Sequence, residues 1–208
     1  MKPFILEYLW TDLCSRYTAD EALIKTTYAQ LVAAYSENGR HYYTLTHIRN
    51  MISSAYLHEA LIRDKDAMLF TIFFHDVVYD ASAKDNEEKS AAAAVEFLHK
   101  INFWGDEIAA VSALIMATKT HTAGDHPDMG ILLDLDLEIL GADDATYKTY
   151  AQQIRQEYSV YPDQLYHAGR KKVLHHFLEK PFIYCTETFR EQLESAARKN
   201  IENEIATL

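Results

Sequence analysis

A histidine and an aspartate stand side by side, His75-Asp76, at the end of an apolar run in residues 68–80, MLFTIFFHDVVYD. On a helical wheel this stretch has no solvent face before Asp80, so it predicts a central helix buried all round. A neutral histidine fits such a place with one hydrogen bond. An ionised aspartate does not, because burying an unpaired carboxylate is costly or shifts its protonation. Neighbouring helical residues point about 100° apart, so both side chains reach one ion only if it sits beside the helix. A bound metal is the simplest explanation of the pair.

A second carboxylate raises the same question. In residues 131–140, ILLDLDLEIL, the apolar side is defined by Leu132, Leu135, Ile139 and Leu140, with Asp136 in its middle. A carboxylate inside an apolar stripe needs a cation, so Asp136 is the further ligand of choice. Asp134 pairs with Glu138 on the opposite, wetter side and reads as solvated or as a support behind the ligands. Upstream, His47 lies on the inward face of a helix with Met51, Ser54, Ala55, His58 and Ile62. His58 is roughly 16 Å further along that helix at 1.5 Å per residue, so the two histidines cannot share an ion. Taken alone, either reads as a core histidine bonded to a carbonyl.

The elements that must position these residues are all helical. Residues 3–16 (Ile5, Leu6, Leu9, Leu13 inward) and about 20–36 (Leu23, Tyr28, Leu31, Val32, Tyr35) form the first two helices, with Gly39 as the stop. Thr44 or Thr46 caps a third helix running to about 63. After the central helix come a polar loop at 81–86 and helices at 87–100 and 105–118. A loop at 122–129 leads to the segment at 131–140, followed by helices at about 143–158, 163–179 and 186–205. Ala91 to Ala94 allow a neighbour to approach closely. With 6 Gly, 4 Pro, no repeat, no low-complexity segment and no linker, the chain reads as one all-α domain.

Charge narrows the function. The 208 residues carry 20 basic and 31 acidic side chains, a net charge of -11, which repels nucleic-acid backbones and acidic membranes. A small phosphorylated substrate stays compatible, since a metal and a few local cations overcome the global field. Cys14 and Cys185 lie far apart without companion ligands and read as reduced thiols. The opening MKPFILEYLW is soon broken by Asp12, and no apolar run approaches the ~20 residues of a membrane span. A cytoplasmic protein, monomeric or homodimeric, is the default expectation.

His47, then His75-Asp76, then Asp136, each on the inward face of its own helix, resembles the HD superfamily of metal-dependent phosphohydrolases. The strings RHYYTLTHI (40–48), FFHDVVYD (73–80), DNEEKSA (85–91) and LLDLDLEILG (132–141) look like one bacterial branch of that superfamily. The likeness extends through residues 147–161, Gly169-Arg170 and the KPFIY string at 180–184. The resemblance implies an HD-domain-like helical bundle, a single domain with its metal core at about 40–141 and flanking helices at 3–36 and 143–205. It further implies one divalent ion, Mn, Fe, Ni, Zn or Mg, held by His47, His75, Asp76 and Asp136. Metal-bound hydroxide would then attack a phosphate ester, a nucleotide among the candidates. By the same resemblance Asp80, one helical turn after Asp76, positions water or acts as general acid or base.

The sequence also departs from the pattern. Tyr79 stands where some of these hydrolases carry an acid, and Tyr43 where relatives carry a histidine. Tyr43 keeps the capacity to bond behind the ligands, though the lost imidazole counts against a second metal. Arg40, Lys119, His121 and Glu87 are the candidates for the substrate wall, and each also reads as an ordinary polar residue. Glu87 and Glu88 suit the N-terminal dipole of their helix. Rival readings are weaker. Glu96 and His99 have ferritin-like spacing but lack a second pair, and no HExxH, phosphate loop, dinucleotide fingerprint or GxSxG elbow occurs. A non-catalytic HD module that binds a nucleotide or metal is the main alternative, and an oxygen-activating di-iron site is a third.

Overall fold

In the computed structural model, which describes residues 3–208, helices follow one another in the order the apolar periodicity predicts. They are α1 (Pro3–Ser15), α2 (Glu21–Ala34), α3 (Leu45–Leu57), α4 (Lys65–Phe74), α5 (Asn86–Lys100), α6 (Gly105–Thr118), α7 (Met129–Leu137), α8 (Asp144–Glu157), α9 (Asp163–Glu179) and α10 (Glu187–Thr207). Short 3-10 turns follow α3 and α7, at Glu59–Leu61 and Glu138–Gly141. No strand occurs among the described residues, as expected of an all-α chain. The chain divides into two compact units, one up to Met129 and one from Gly130. That boundary lies one residue into α7, not in a Gly- or Pro-rich linker, so no shift in composition marks it.

In the first unit, α4 is the element around which the rest is packed. Ala67 through Phe74 are all buried, and α3, α5 and α6 lie against this helix. Trp10 sets the aromatic packing, with its ring centroid 5.1 Å from that of Phe73 and 5.0 Å from that of Phe97. Its indole N–H donates to the Ile24 carbonyl at 3.0 Å and so ties α1 to α2. Each such ring removed from water contributes about 1.5–3 kcal/mol. The same residue corrects the wheel of α1. Its buried face is Leu6, Trp10, Leu13 and Cys14, while Ile5 is exposed and Leu9 half-buried, because the largest side chain takes the inward position.

The termini of α3 and α4 are fixed by side chains. Thr44 caps α3, its hydroxyl accepting from the Thr46 N–H at 3.3 Å. Asp64 caps α4 by accepting from the Ala67 N–H, and the buried Asp128 accepts from the N–H groups of Arg63 (2.7 Å) and Asp64 (2.8 Å). A carboxylate is well placed there, at the positive end of the helix dipole.

At its other end α4 stops at Phe74, with His75 as the C-cap, so the helix predicted to run to Asp80 is six residues shorter. The cause lies elsewhere in the chain. Arg40 donates to the carbonyls of Asp76 (2.6 Å) and Val77 (2.9 Å), and Ser90 brackets Val78, accepting from its N–H and donating to its carbonyl. These bonds satisfy backbone groups that a continued helix would have paired internally.

The second unit is tied together by buried polar groups. Asp134 is fully buried and accepts from the N–H groups of Cys185 (2.5 Å) and Thr186 (2.7 Å), where Thr186 caps α10. Asn200 on α10 donates to the carbonyls of Leu140 and Ala142 at 2.9 and 2.8 Å. Arg170 on α9 forms a buried pair with Glu204 on α10, which also accepts from the Tyr147 hydroxyl at 2.5 Å. Gly141 is required by close approach, since a Cβ there would stand 2.6 Å from the Leu193 Cβ. Among the described residues no helix is long and apolar enough to cross a membrane.

Candidate metal centre

Two imidazoles meet where α4 ends. His47, in the first turn of α3, and His75, the cap of α4, are both buried, and their Nε2 atoms lie 3.2 Å apart. An Asp76 carboxylate oxygen lies 3.0 Å from the same His75 Nε2. His75 Nδ1 is 2.9 Å from the Ile72 carbonyl, so the N–H belongs on Nδ1 and the Nε2 lone pair faces the other two donors.

The imidazole spacing fits a shared cation, and the Asp76 oxygen stands at a similar distance from one of the two rings. Donors bound at about 2.1 Å stand about 3.0 Å apart at right angles and about 3.4 Å apart at the tetrahedral angle. The observed 3.0 and 3.2 Å fall in that interval. Two imidazoles and a carboxylate are also the donor set of borderline divalent ions. The wall around His47 is aromatic. The Tyr42 ring centroid lies 4.9 Å from that of His47, and Tyr43 meets His47 edge-on while packing on Tyr79 at 4.8 Å. Tyr43 precedes the Thr44 cap, so the expected one-turn relation to His47 does not exist and the two rings meet from loop to helix.

The two aspartates of α7 come out differently from the wheel. Asp134 is the more buried of the pair, and both its oxygens are engaged by the N–H groups that precede α10. Its burial pushes the carboxyl up from the usual carboxylate range, against the pull of those bonds. It is a structural anchor of the second unit and not a solvated group. Asp136 is half-buried on the same helix.

Several candidates turn out to be committed to other groups. Arg40, expected as a phosphate-binding cation, is buried and donates its guanidinium to main-chain carbonyls. Lys119, at the end of α6, is bonded to Glu88 and to the Lys84 carbonyl (2.7 Å), with Glu87 at 3.9 Å. Glu87 and Glu88 do occupy the first turn of α5, as the dipole argument expects. His121 closes the end of α6 in a left-handed conformation (φ 47°), its N–H donating to the Ala117 carbonyl at 3.0 Å.

Asp80 is the main correction to the expected site. With α4 ending at Phe74, the one-turn relation between Asp76 and Asp80 does not exist. Asp80 lies exposed in the following loop, where its carboxylate accepts from the Ser82 N–H (2.8 Å) and hydroxyl (2.7 Å). Those bonds hold its pKa below the usual value. The loop is closed further by Asn86, which exchanges bonds with the Asp80 main chain at 3.1 and 2.9 Å. Residues that the sequence left unnoticed are Ser90 and Tyr42, and Arg40 stood out only as a cation for the substrate wall, not for its bonds to carbonyls. Only Ser90 leaves a trace, as the small polar residue that opens the alanine run of α5.

Comparison with family models, with curated proteins and with solved structures gives no match to this chain in any of the three.

Proposed function

We propose that this chain is a metal-dependent phosphohydrolase, with one divalent cation held by His47, His75, Asp76 and Asp136. The observation that carries the reading is the approach of two buried imidazole Nε2 atoms to 3.2 Å, with the His75 tautomer fixed from behind and an Asp76 oxygen 3.0 Å from the His75 Nε2. Asp136 enters as the fourth ligand on its sequence position, in the apolar stripe of α7, while its neighbour Asp134 is committed to main-chain bonds. A divalent cation in such a site lowers the pKa of water and neutralises a phosphoryl oxygen, which is the chemistry of phosphate-ester hydrolysis. The residues of the chain contribute orientation. Ile72 holds the His75 ring through Nδ1, and Tyr42 and Tyr43 flank the His47 ring and keep water from its faces.

One observation favours a second reading. Arg40 and Lys119, the cations expected to meet a phosphate, are both engaged by other groups, and Asp80 is bonded to Ser82. A metal-binding module without turnover needs none of the three. Phosphate release from a panel of nucleotides and simple phosphate esters, with and without Mn²⁺, separates the readings. Release that requires the metal and is lost in His75→Ala supports the hydrolase. Bound metal without release from any ester supports the module.

A further inference from the structure

Arg40 is buried at a cost that the site reading leaves unexplained. Its side chain is 2% exposed, and the carboxylate beside it, that of Glu37, is 3.6 Å from Nε on an exposed side chain. The guanidinium is spent on carbonyls, those of Tyr43 (3.3 Å), Asp76 (2.6 Å) and Val77 (2.9 Å). It lies over the rings of Tyr35 and Tyr79, at 5.1 and 5.4 Å from their centroids. A cation taken out of water needs strong compensation, and here that compensation is main chain at two chosen places.

Those two places carry the ligands. Tyr43 directly precedes the Thr44 cap of α3, the helix whose first turn presents His47. Asp76 and Val77 form the turn that follows α4, and the direction of that turn sets where the Asp76 side chain leaves the backbone. One guanidinium therefore joins both ligand-bearing segments, reaching a carbonyl 3 residues on at Tyr43 and another 36 residues on at Asp76. Arginine suits this task because its planar fork bonds several acceptors at once. A lysine ammonium sits at one point and cannot reproduce the fork.

We propose that Arg40 is a positioning residue of the metal centre, holding the Asp76-Val77 main chain in the turn that brings the Asp76 carboxylate to the His75 imidazole. The proposal rests on the metal-binding reading above. It assigns Arg40 no contact with substrate.

Co²⁺ serves as the probe, because its visible absorption reports its ligand set as well as its binding. Wild type, Arg40→Gln, Arg40→Lys, Asp76→Asn and the Arg40→Gln/Asp76→Asn double variant are titrated well below their melting temperatures, with circular dichroism as the check on folding. The expected result is a loss of about ten- to hundredfold in Co²⁺ affinity for Arg40→Gln and Arg40→Lys. Their spectra should move toward that of Asp76→Asn, and the double variant should bind no more than about twofold more weakly than Asp76→Asn alone. Should Arg40→Gln not fold, Arg40→Lys is judged by affinity and spectrum. Wild-type affinity and spectrum in a folded Arg40 variant would overturn the proposal, as would losses that multiply in the double variant. A wild type that takes up no Co²⁺ would instead overturn the metal reading beneath it.

Discussion

The Nε2 atoms of His47 and His75 stand 3.2 Å apart although 28 residues separate them in the chain. Two neutral imidazoles gain little from such an approach unless a proton or a cation lies between them. With its Nδ1 turned to the Ile72 carbonyl, His75 presents the Nε2 lone pair toward His47, and Asp76 brings a carboxylate oxygen to 3.0 Å from the same Nε2. The two α7 aspartates differ in burial, Asp134 being enclosed and bonded to main-chain N–H groups and Asp136 half-buried, and the difference can be tested directly.

Asp134→Ala should cost stability. The substitution leaves the N–H groups of Cys185 and Thr186 without their acceptor, and hydrogen bonds to a charged group are each worth about 1.5–3 kcal/mol. Urea unfolding should show a loss of about 3–5 kcal/mol. Asp136→Ala should unfold close to wild type when metal-free and fail instead in metal uptake. Equal stability of the two variants would remove Asp134 from its structural role.

Gly141→Ala should destabilise the second unit, because the added methyl meets the Leu193 Cβ at 2.6 Å and the Tyr184 hydroxyl at 3.0 Å. Overpacking of this kind costs about 1–3 kcal/mol. A thermal melt unchanged from wild type would show that α10 yields to the methyl without strain.

Arg170 and Glu204 form a buried pair with Tyr147 as a third member. Arg170→Met leaves the Glu204 carboxylate without its cation and should cost about 3–5 kcal/mol. Removing both charges, in Arg170→Met/Glu204→Gln, should recover a good part of that loss. A double variant no more stable than the single one would argue that the guanidinium acts through packing alone.

High pH should weaken the fold through its tyrosines. Burial pushes the Tyr147, Tyr184 and Tyr17 hydroxyls up from the phenol range, and the Glu204 and Asp66 carboxylates raise Tyr147 and Tyr17 further. The folded pKa values lie above the unfolded value of about 10. The stabilisation is therefore fully present below about pH 10 and is lost as pH rises from there through the folded values. Unfolding free energies should be insensitive to these groups between about pH 7 and 9 and fall above about pH 10. Tyr147→Phe should make the fall shallower while costing about 1.5–3 kcal/mol at neutral pH.

What the sequence disclosed and what it concealed follow from the range of the forces involved. The burial of α4 was legible because Ala67 to Phe74 form an apolar run with no polar break but Thr71, and the inward turn of His47 because α3 keeps a regular stripe. The end of α4 was not, because it is set by Arg40 and Ser90, which arrive from other helices and leave no local signal. Asp80 was misplaced for that reason alone. Asp134 was misread because a wheel sorts residues by their own helix, and its partners at 185 and 186 lie some fifty residues on. Local periodicity reports which residues are buried far better than it reports what a buried polar group is bonded to.

The central claim is a resident divalent cation, and metal content tests it most directly. Protein purified without chelator, then loaded with Mn²⁺ or Zn²⁺ and freed of excess, should carry one ion per chain by elemental analysis. His75→Ala and Asp76→Ala, folded by circular dichroism, should carry less than a tenth of that. No ion on the wild type under any loading condition, or full occupancy in both variants, would contradict the account.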